Sequence, residues 1–188
     1  MADRDADDQR SWITSAQRGD QDAFRRLVER HRDRAYGLAR RILRSEADAE
    51  DVAQEAFVRV WQALPQFRGD AGFGTWLYRI VAHRSFDRLE QLKRRRERET
   101  TLDDASESAE SVGGDDDAGR SRRLERLIAD LSPPQRAAVT LYYYGDAPVE
   151  QVAETLDLPV NTVKTHLRRA RAALREAWLR AERGGIKS

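Results

Sequence analysis

Apolar residues recur every three or four positions through the first half of the chain, the spacing of one face of an α-helix. One such stripe covers residues 24–43, a second covers residues 52–64 and a third covers residues 76–89. These stripes predict three amphipathic helices that share one core.

Residues between the stripes carry helix start and stop signals. Ser45, with Asp48 three positions later, is typical of a capping box that opens the second helix, and Pro65 is expected to end it. Residues 66–74 contain three glycines, which predicts a loop. We expect Thr75 to cap the third helix.

The second half of the chain shows a sharper pattern. Ser132, two prolines and Gln135 predict a helix start, and Gly145 is expected to stop that helix after the short β-like run 141–144. A short helix with apolar positions between 149 and 156 follows, then a turn at 157–159, then a helix with Val163 and Leu167 on its buried face. Two helices joined by a three-residue turn are typical of a helix-turn-helix. With no strand pattern elsewhere, the predicted fold class is all-α.

Charge divides the chain into three parts, although its net charge is only +1. Residues 1–96 carry a net charge of +4, residues 97–119 a net charge of −8 and residues 120–188 a net charge of +5. The middle part is rich in Asp, Glu, Ser and Gly and has two large apolar residues, so it predicts a flexible linker. We therefore expect two small basic helical domains, 1–96 and 120–188, joined by the acidic linker 97–119.

Composition excludes several classes of site. Cysteine is absent and the three histidines lie far apart in sequence, which excludes a disulfide scaffold, a thiol nucleophile and a cysteine-ligated metal site. We expect neither a metal nor a cofactor. No apolar run approaches the roughly 20 residues that cross a bilayer, and the acidic N-terminus is unlike a secretory signal. We therefore expect a cytoplasmic protein without membrane insertion.

The last helix presents a polar, basic face opposite its buried residues. Such a face can donate hydrogen bonds to guanine edges and phosphate oxygens in a DNA major groove, and the alternative is an ordinary solvated helix face. The candidate residues are Asn161, Thr162, Lys164, Thr165, Arg168 and Arg169.

Three segments together resemble a known family. DLPVNTVKTHLRRARAALR at 157–175 is similar to region 4 of bacterial RNA polymerase sigma factors, whereas DAEDVAQEAF at 48–57 and FRGDAGFGTWLYRI at 67–80 are similar to region 2. A short chain with these two regions and only a linker between them resembles the extracytoplasmic-function (ECF) group. The resemblance implies a promoter-specificity subunit that is not itself an enzyme, with core RNA polymerase and promoter DNA as partners. It also makes an anti-sigma partner expected.

An acidic edge runs along the second predicted helix, where several carboxylates fall on successive turns beside aromatic residues. Such an edge can bind a basic protein surface, and the alternative is an ordinary amphipathic helix. By resemblance it is the surface that binds the coiled coil of the polymerase β′ subunit, and the expected partner is core polymerase through this coiled coil and the β subunit. The candidate residues are Asp48, Asp51, Gln54, Glu55, Phe57 and Trp61.

By resemblance, the glycine-rich loop and the helix after it recognise the −10 promoter element as a single strand. Opening a duplex costs about 1.4 kcal/mol per base step, and aromatic stacking returns roughly 1–3 kcal/mol per captured base. The candidate residues are Phe67, Arg68, Asp70, Phe73, Arg79, His83, Arg84 and Arg88. His83 stands where the family usually has Asn, so the resemblance does not identify which −10 bases are read. Trp76, Leu77 and Ile80 are interpreted as core.

By resemblance, the basic face of the last helix reads the −35 element. The linker, whose charge resembles that of a nucleic-acid strand, is hypothesised to screen the basic faces of the free protein. A stand-alone helix-turn-helix regulator is the alternative function, but it leaves the aromatic, basic loop at 66–76 without a role. A nucleic-acid enzyme is disfavoured because the sequence has no Walker A loop, metal-binding carboxylate cluster or activated nucleophile.

Overall fold

The computed structural model describes the backbone of residues 2–99 and 117–184, and the side chains of residues 7–98 and 123–180. Within these ranges the chain is helical and no strand is present, which confirms the all-α prediction. The helices are α1 (Ala2–Gln17), α2 (Gln21–Leu43), α3 (Glu46–Ala63), α4 (Phe73–Glu99), α5 (Asp117–Ala129), α6 (Pro133–Val139), α7 (Val149–Leu156) and α8 (Val160–Gly184). A 3₁₀ turn at Leu64–Gln66 follows α3, and a π-helical turn at Thr140–Tyr144 continues α6.

Helices α1–α4 form the N-terminal unit around the apolar face of α2. Leu27 and Ile42 on α2, Val60 on α3, and Leu77 and Val81 on α4 have no solvent-exposed area. These residues belong to the three stripes that the spacing of apolar positions predicts. Burial of such a side chain contributes roughly 1.5–3 kcal/mol, so the shared core fixes how α3 and α4 lie against α2.

Caps set most of the boundaries that the sequence predicts. The Ser45 Oγ accepts a hydrogen bond from the Asp48 backbone N–H at 3.2 Å, and α3 gives way to a 3₁₀ turn at Pro65. One boundary prediction is wrong. Helix α4 begins at Phe73 rather than after Thr75, because the Trp76 N–H already donates to the Gly72 carbonyl at 3.0 Å. Thr75 therefore lies in the first turn and is buried.

Helices α5–α8 form the C-terminal unit. Val152, Val163, Leu167 and Ala170 are almost completely buried between α7 and α8, as the helix-turn-helix prediction requires. Asp157 makes the turn between them with a left-handed backbone (φ 54°). Gly145 ends the π-helical turn where a Cβ would lie 2.5 Å from the Leu141 carbonyl oxygen, so this close approach requires glycine. The β-like run 141–144 is helical.

The two units pack against each other, with α4 on α7 and α2 on α6. Helices α4 and α5 extend three residues into each end of the predicted linker. Residues 100–116, and with them the hypothesis that the linker screens the basic faces, lie outside the described residues.

Candidate nucleic-acid interface

Helix α8 presents the predicted basic face to solvent. Asn161, Lys164, Arg168 and Arg169 are exposed, whereas Thr162 and Thr165 are half-buried. The Thr165 hydroxyl donates to the Asn161 carbonyl at 2.9 Å, within the helix. Val163 and Leu167 are fixed beneath this face, so its orientation follows from the packing of α8 on α7. The face has the position of a recognition helix that enters a major groove.

His166 lies beside this face and was not singled out from the sequence. Burial, followed by the charge of Arg169, lowers its pKa. Its Nδ1 is buried and makes no hydrogen bond within the described residues. The neutral ring therefore adds no positive charge to the exposed side of α8.

A groove of about 700 Å³ runs between α3 and α4. Three of the residues predicted to bind the −10 element, Arg79, His83 and Arg84, line it from α4. Arg59 and Gln62 of α3 line the opposite side, and neither was predicted from the sequence. Their only signal is the spacing of three residues on the polar side of α3, which is not distinctive. The groove combines arginines with the ring of Trp76, the combination that tracks a single strand.

Phe67 stacks on Trp76, with ring centroids 4.7 Å apart and an interplanar angle of 27°. Phe73 meets Phe67 edge to face at 6.0 Å. Phe73 was predicted to lie in the loop, but it opens α4 and is only 2% exposed, because its ring fills the core beneath Phe67. Trp76 is half-buried at the core edge, whereas Leu77 is fully buried.

The loop that carries Phe67 and Arg68 borders a second cavity, of about 620 Å³. Helix α1 forms its other wall with Arg10 and Gln17. The Gln17 side-chain amide donates to the carbonyl oxygens of Leu64 at 3.2 Å and Phe67 at 2.8 Å. Helix α1 therefore holds the base of the loop, a long-range contact that no local pattern predicts. Arg68 and Asp70 are exposed.

His31 is buried beneath this loop in an aromatic cluster. Its Nδ1 lies 2.8 Å from the Tyr78 hydroxyl, and its ring centroid lies 5.3 Å from that of Phe73. Burial, with smaller contributions from the charges of Arg30 and Arg34, lowers the pKa of His31 to about 4. The imidazole is therefore neutral at pH 7, and it packs beneath the loop as part of the core.

The predicted acidic edge of α3 forms ion pairs with predicted −10 residues of α4. Asp48 Oδ1 lies 2.6 Å from Arg88 Nη2, Asp51 lies 3.9 Å from the same atom, and Glu55 pairs with Arg84. Hydrogen bonds from Ser45 and Arg88 lower the pKa of Asp48. Residues that were predicted to bind different partners therefore pair with each other in two neighbouring groups, Asp48–Arg88–Asp51 and Glu55–Arg84, which together are called the ion-pair network.

The remaining α3 candidates divide by exposure. Asp51, Gln54 and Glu55 are exposed. Phe57 and Trp61 are half-buried, and Trp61 packs on Phe24 with ring centroids 4.8 Å apart. The polar residues are thus accessible to a partner, whereas Trp61 packs on α2 and Phe57 packs against the core.

Neither a metal site nor a membrane span is found in the part of the chain that the structure describes. There, no group of three or more His, Asp and Glu side chains is placed to hold a metal ion. None of the helices in these ranges is both long and apolar enough to cross a membrane.

Comparison with known proteins finds the same two regions. Residues 27–95 match the family model of Sigma-70 region 2, and residues 121–174 match that of Sigma-70 region 4. The chain is 33% identical to the ECF RNA polymerase sigma factor SigW of Bacillus subtilis over 178 residues, which cover 87% of this chain and 93% of SigW. It is 34% identical to the ECF RNA polymerase sigma-E factor of Escherichia coli K12 over 172 residues, covering 86% and 90%.

Two solved structures share the fold. CnrH in complex with the cytosolic domain of CnrY is 28% identical and matches with a TM-score of 0.67 over 93% of this chain and 98% of CnrH. RpoE of Bartonella quintana, in complex with the anti-sigma factor NepR, is 19% identical and matches with a TM-score of 0.68 over 82% and 96%. Both family models, the curated relatives and the helical fold agree, and the chain belongs to the extracytoplasmic-function group of RNA polymerase sigma factors.

Proposed function

We propose that the α3–α4 groove and the loop at its end hold the unpaired strand of the −10 promoter element. Arg59, Arg79 and Arg84 supply positive charge along the groove, and the stacked Phe67–Trp76 pair offers an aromatic surface. Arginines that follow the backbone, together with rings that stack on bases, are the usual means of binding a single strand. This juxtaposition of arginines and aromatic rings is the observation that carries the proposal.

The exposed acidic residues of α3 dock on core polymerase in this proposal. Asp51, Gln54 and Glu55 are exposed on one side of α3, and carboxylates there complement a basic coiled coil such as that of the β′ subunit. Because Asp51 lies near Arg88 and Glu55 pairs with Arg84, polymerase binding and strand binding draw on one set of charges.

Helix α8 reads the −35 element as duplex. Lys164, Arg168 and Arg169 are exposed on one face, and each phosphate contact they make releases counterions, so affinity falls with salt. Core polymerase supplies the chemistry in the cytoplasm, and this chain acts as a non-catalytic specificity subunit. An anti-sigma partner is supported by the solved relatives, one of which is bound to the anti-sigma factor NepR.

Transcription with purified core polymerase tests the proposal. The template is a library of host genome fragments, and the transcripts are sequenced with and without this protein. We expect transcripts that depend on the protein and share one upstream motif pair. Duplex binding without any effect on core polymerase would instead support the stand-alone regulator.

Matched variants assign the surfaces. Arg168→Ala is expected to weaken duplex binding and to reduce the slope of log affinity against log salt by about 1, whereas Arg180→Ala, near the end of the same helix and paired with Glu176, leaves both unchanged. Asp51→Asn is expected to weaken binding to core polymerase. Glu29→Gln removes the same charge from an exposed position on α2 and is expected to have no effect. Equal effects within a pair would contradict the assignment.

A further inference from the structure

The groove assigned to the −10 strand is already partly occupied by another part of the chain. The Arg79 guanidinium donates two hydrogen bonds to the Glu154 carbonyl oxygen, from Nε at 2.9 Å and from Nη2 at 2.5 Å. Asp157, the residue directly after α7, lines the groove beside His83 and Arg84. The first helix of the helix-turn-helix therefore ends at the basic groove of the other unit.

The chemistry at this contact resembles that of a phosphate. The C-terminal carbonyls of a helix carry a partial negative charge, and Asp157 adds a carboxylate next to them. An arginine that holds a carbonyl oxygen through two N–H groups uses the donors with which it would hold a phosphate oxygen. The end of α7 thus presents to Arg79 what a nucleic-acid backbone would present.

Three further contacts join the two units. The Arg41 guanidinium lies 3.9 Å from the ring centroid of Tyr144, and the Gln151 side chain donates to the Thr75 hydroxyl at 2.8 Å. Arg136 Nη2 donates to the Ile42 carbonyl at 2.7 Å, at the end of α2. Arg136 also donates to Ala129 and Leu131 within its own unit, so it keeps partners when the units separate.

The interface is mixed in character. Buried apolar residues of both units belong to one cluster, the contacts named above are polar or cation–π, and a cavity of about 250 Å³ remains between α2 and α7. Contacts of this kind are typical of domains that move relative to each other. The 17 residues 100–116 reach at most about 60 Å when extended, so the connection permits separation.

We propose that the two units hold each other in a closed, self-inhibited state in which the end of α7 occupies the Arg79 end of the α3–α4 groove in place of a DNA strand. This inference rests on the proposed role of the groove. Closure covers part of the α3–α4 groove but not the basic face of α8, since Lys164, Arg168 and Arg169 stay exposed. The closed chain binds duplex through α8, but it binds a single strand only after it opens.

Spin labels test the closed state in the full chain. The protein has no cysteine, so Asp33→Cys and Glu150→Cys introduce the only two labelling sites. Asp33 lines the cavity between the units and Glu150 adjoins Gln151, which lines it too. We expect a single short distance in the parent chain. A broad, long distribution in the parent chain would overturn the closed state.

Opening variants test the inhibition. Tyr144→Ala with Gln151→Ala removes one cation–π contact and one hydrogen bond, which together displace a two-state equilibrium about tenfold. Affinity for a fluorescein-labelled, mixed-sequence single-stranded DNA is expected to rise up to about tenfold, with affinity for the same sequence as duplex unchanged. Tyr143→Ala is the matched control, because Tyr143 is as exposed as Tyr144 and packs on Tyr142 within its own unit.

The outcomes separate this inference from the proposed function. Short distances that persist in the opened variant, or an unchanged single-strand affinity in a variant whose distances lengthen, would overturn self-inhibition. If the double variant loses helical content, Arg41→Met takes its place, because it removes the cation–π contact with Tyr144 from the α2 side. Transcription with core polymerase that stays dependent on the protein while self-inhibition fails would leave the proposed function standing. Opening with tighter strand binding but no transcription would reject the function and keep the closed state.

Discussion

His31 predicts how the stability of the N-terminal unit depends on pH. The side chain is 8% exposed and has a pKa of about 4 in the folded protein, against 6.5 for a free histidine. Between these values the unfolded chain binds a proton that the folded chain does not bind. The free energy of unfolding is therefore largest above pH 6.5, falls as the pH drops from 6.5 toward 4, and levels off below that.

The two pKa values set the size of the effect. At pH 5 the histidine of an unfolded chain is almost fully protonated, whereas His31 in the fold is almost fully neutral. The difference lowers the free energy of unfolding by about 2 kcal/mol relative to pH 7. This is a large fraction of the marginal stability of a small domain.

Urea denaturation followed by helical circular dichroism at pH 7 and pH 5 measures the effect. His31→Phe keeps an aromatic ring among Phe73 and Tyr78 but cannot titrate. We expect the parent chain to lose about 2 kcal/mol more than this variant between the two pH values. Acidic groups that titrate in both proteins cancel in the comparison, and His83→Gln, at an exposed position, should behave as the parent chain does. Equal losses in parent and His31→Phe would refute burial of a neutral imidazole.

Two further predictions concern the core and the ion-pair network. Leu77→Ala empties a fully buried position and should lower the free energy of unfolding by about 2–5 kcal/mol in urea denaturation; a loss below 1 kcal/mol would place Leu77 outside the core. A double-mutant cycle of Asp48→Asn and Arg88→Gln should give a coupling energy of about 1 kcal/mol, at the upper end for surface pairs, because the Asp48 side chain is only 17% exposed. Additive single effects would show that the pair does not contribute.

The periodicity of apolar residues predicted the helices well because burial and period coincide in them. Leu27 and Ile42 on α2, and Val163 and Leu167 on α8, are buried as their spacing requires. The start of α4 was misplaced because Thr75 is a good N-cap residue, whereas the helix begins at Phe73 and already contains Thr75 in its first turn. Local propensity is a weak prior where tertiary packing, here the burial of Phe73, decides the boundary.

Contacts between distant segments could not be predicted from local patterns. Gln17 holds the Phe67 loop from 50 residues away, and Arg79 reaches Glu154 across 75 residues. Each bond needs only a polar side chain and a backbone carbonyl, and these occur throughout the chain. Arg59 could not be predicted either, because it is one of many arginines on exposed helix faces and its spacing does not distinguish it from them.

A net charge of +1 gives little information about nucleic-acid binding in this chain. Charges separated by more than about 10 Å are screened at ordinary salt, so a DNA strand responds to the charges near its own groove. The acids of residues 97–119 lower the total charge of the chain, and Lys164, Arg168 and Arg169 are exposed on α8. Near α4 the local net charge is less positive, because Arg84 and Arg88 pair with acids of α3. The α3–α4 groove is therefore the less basic of the two surfaces, and the strand binding proposed there depends on whether the partners of those arginines, and the end of α7, have been displaced.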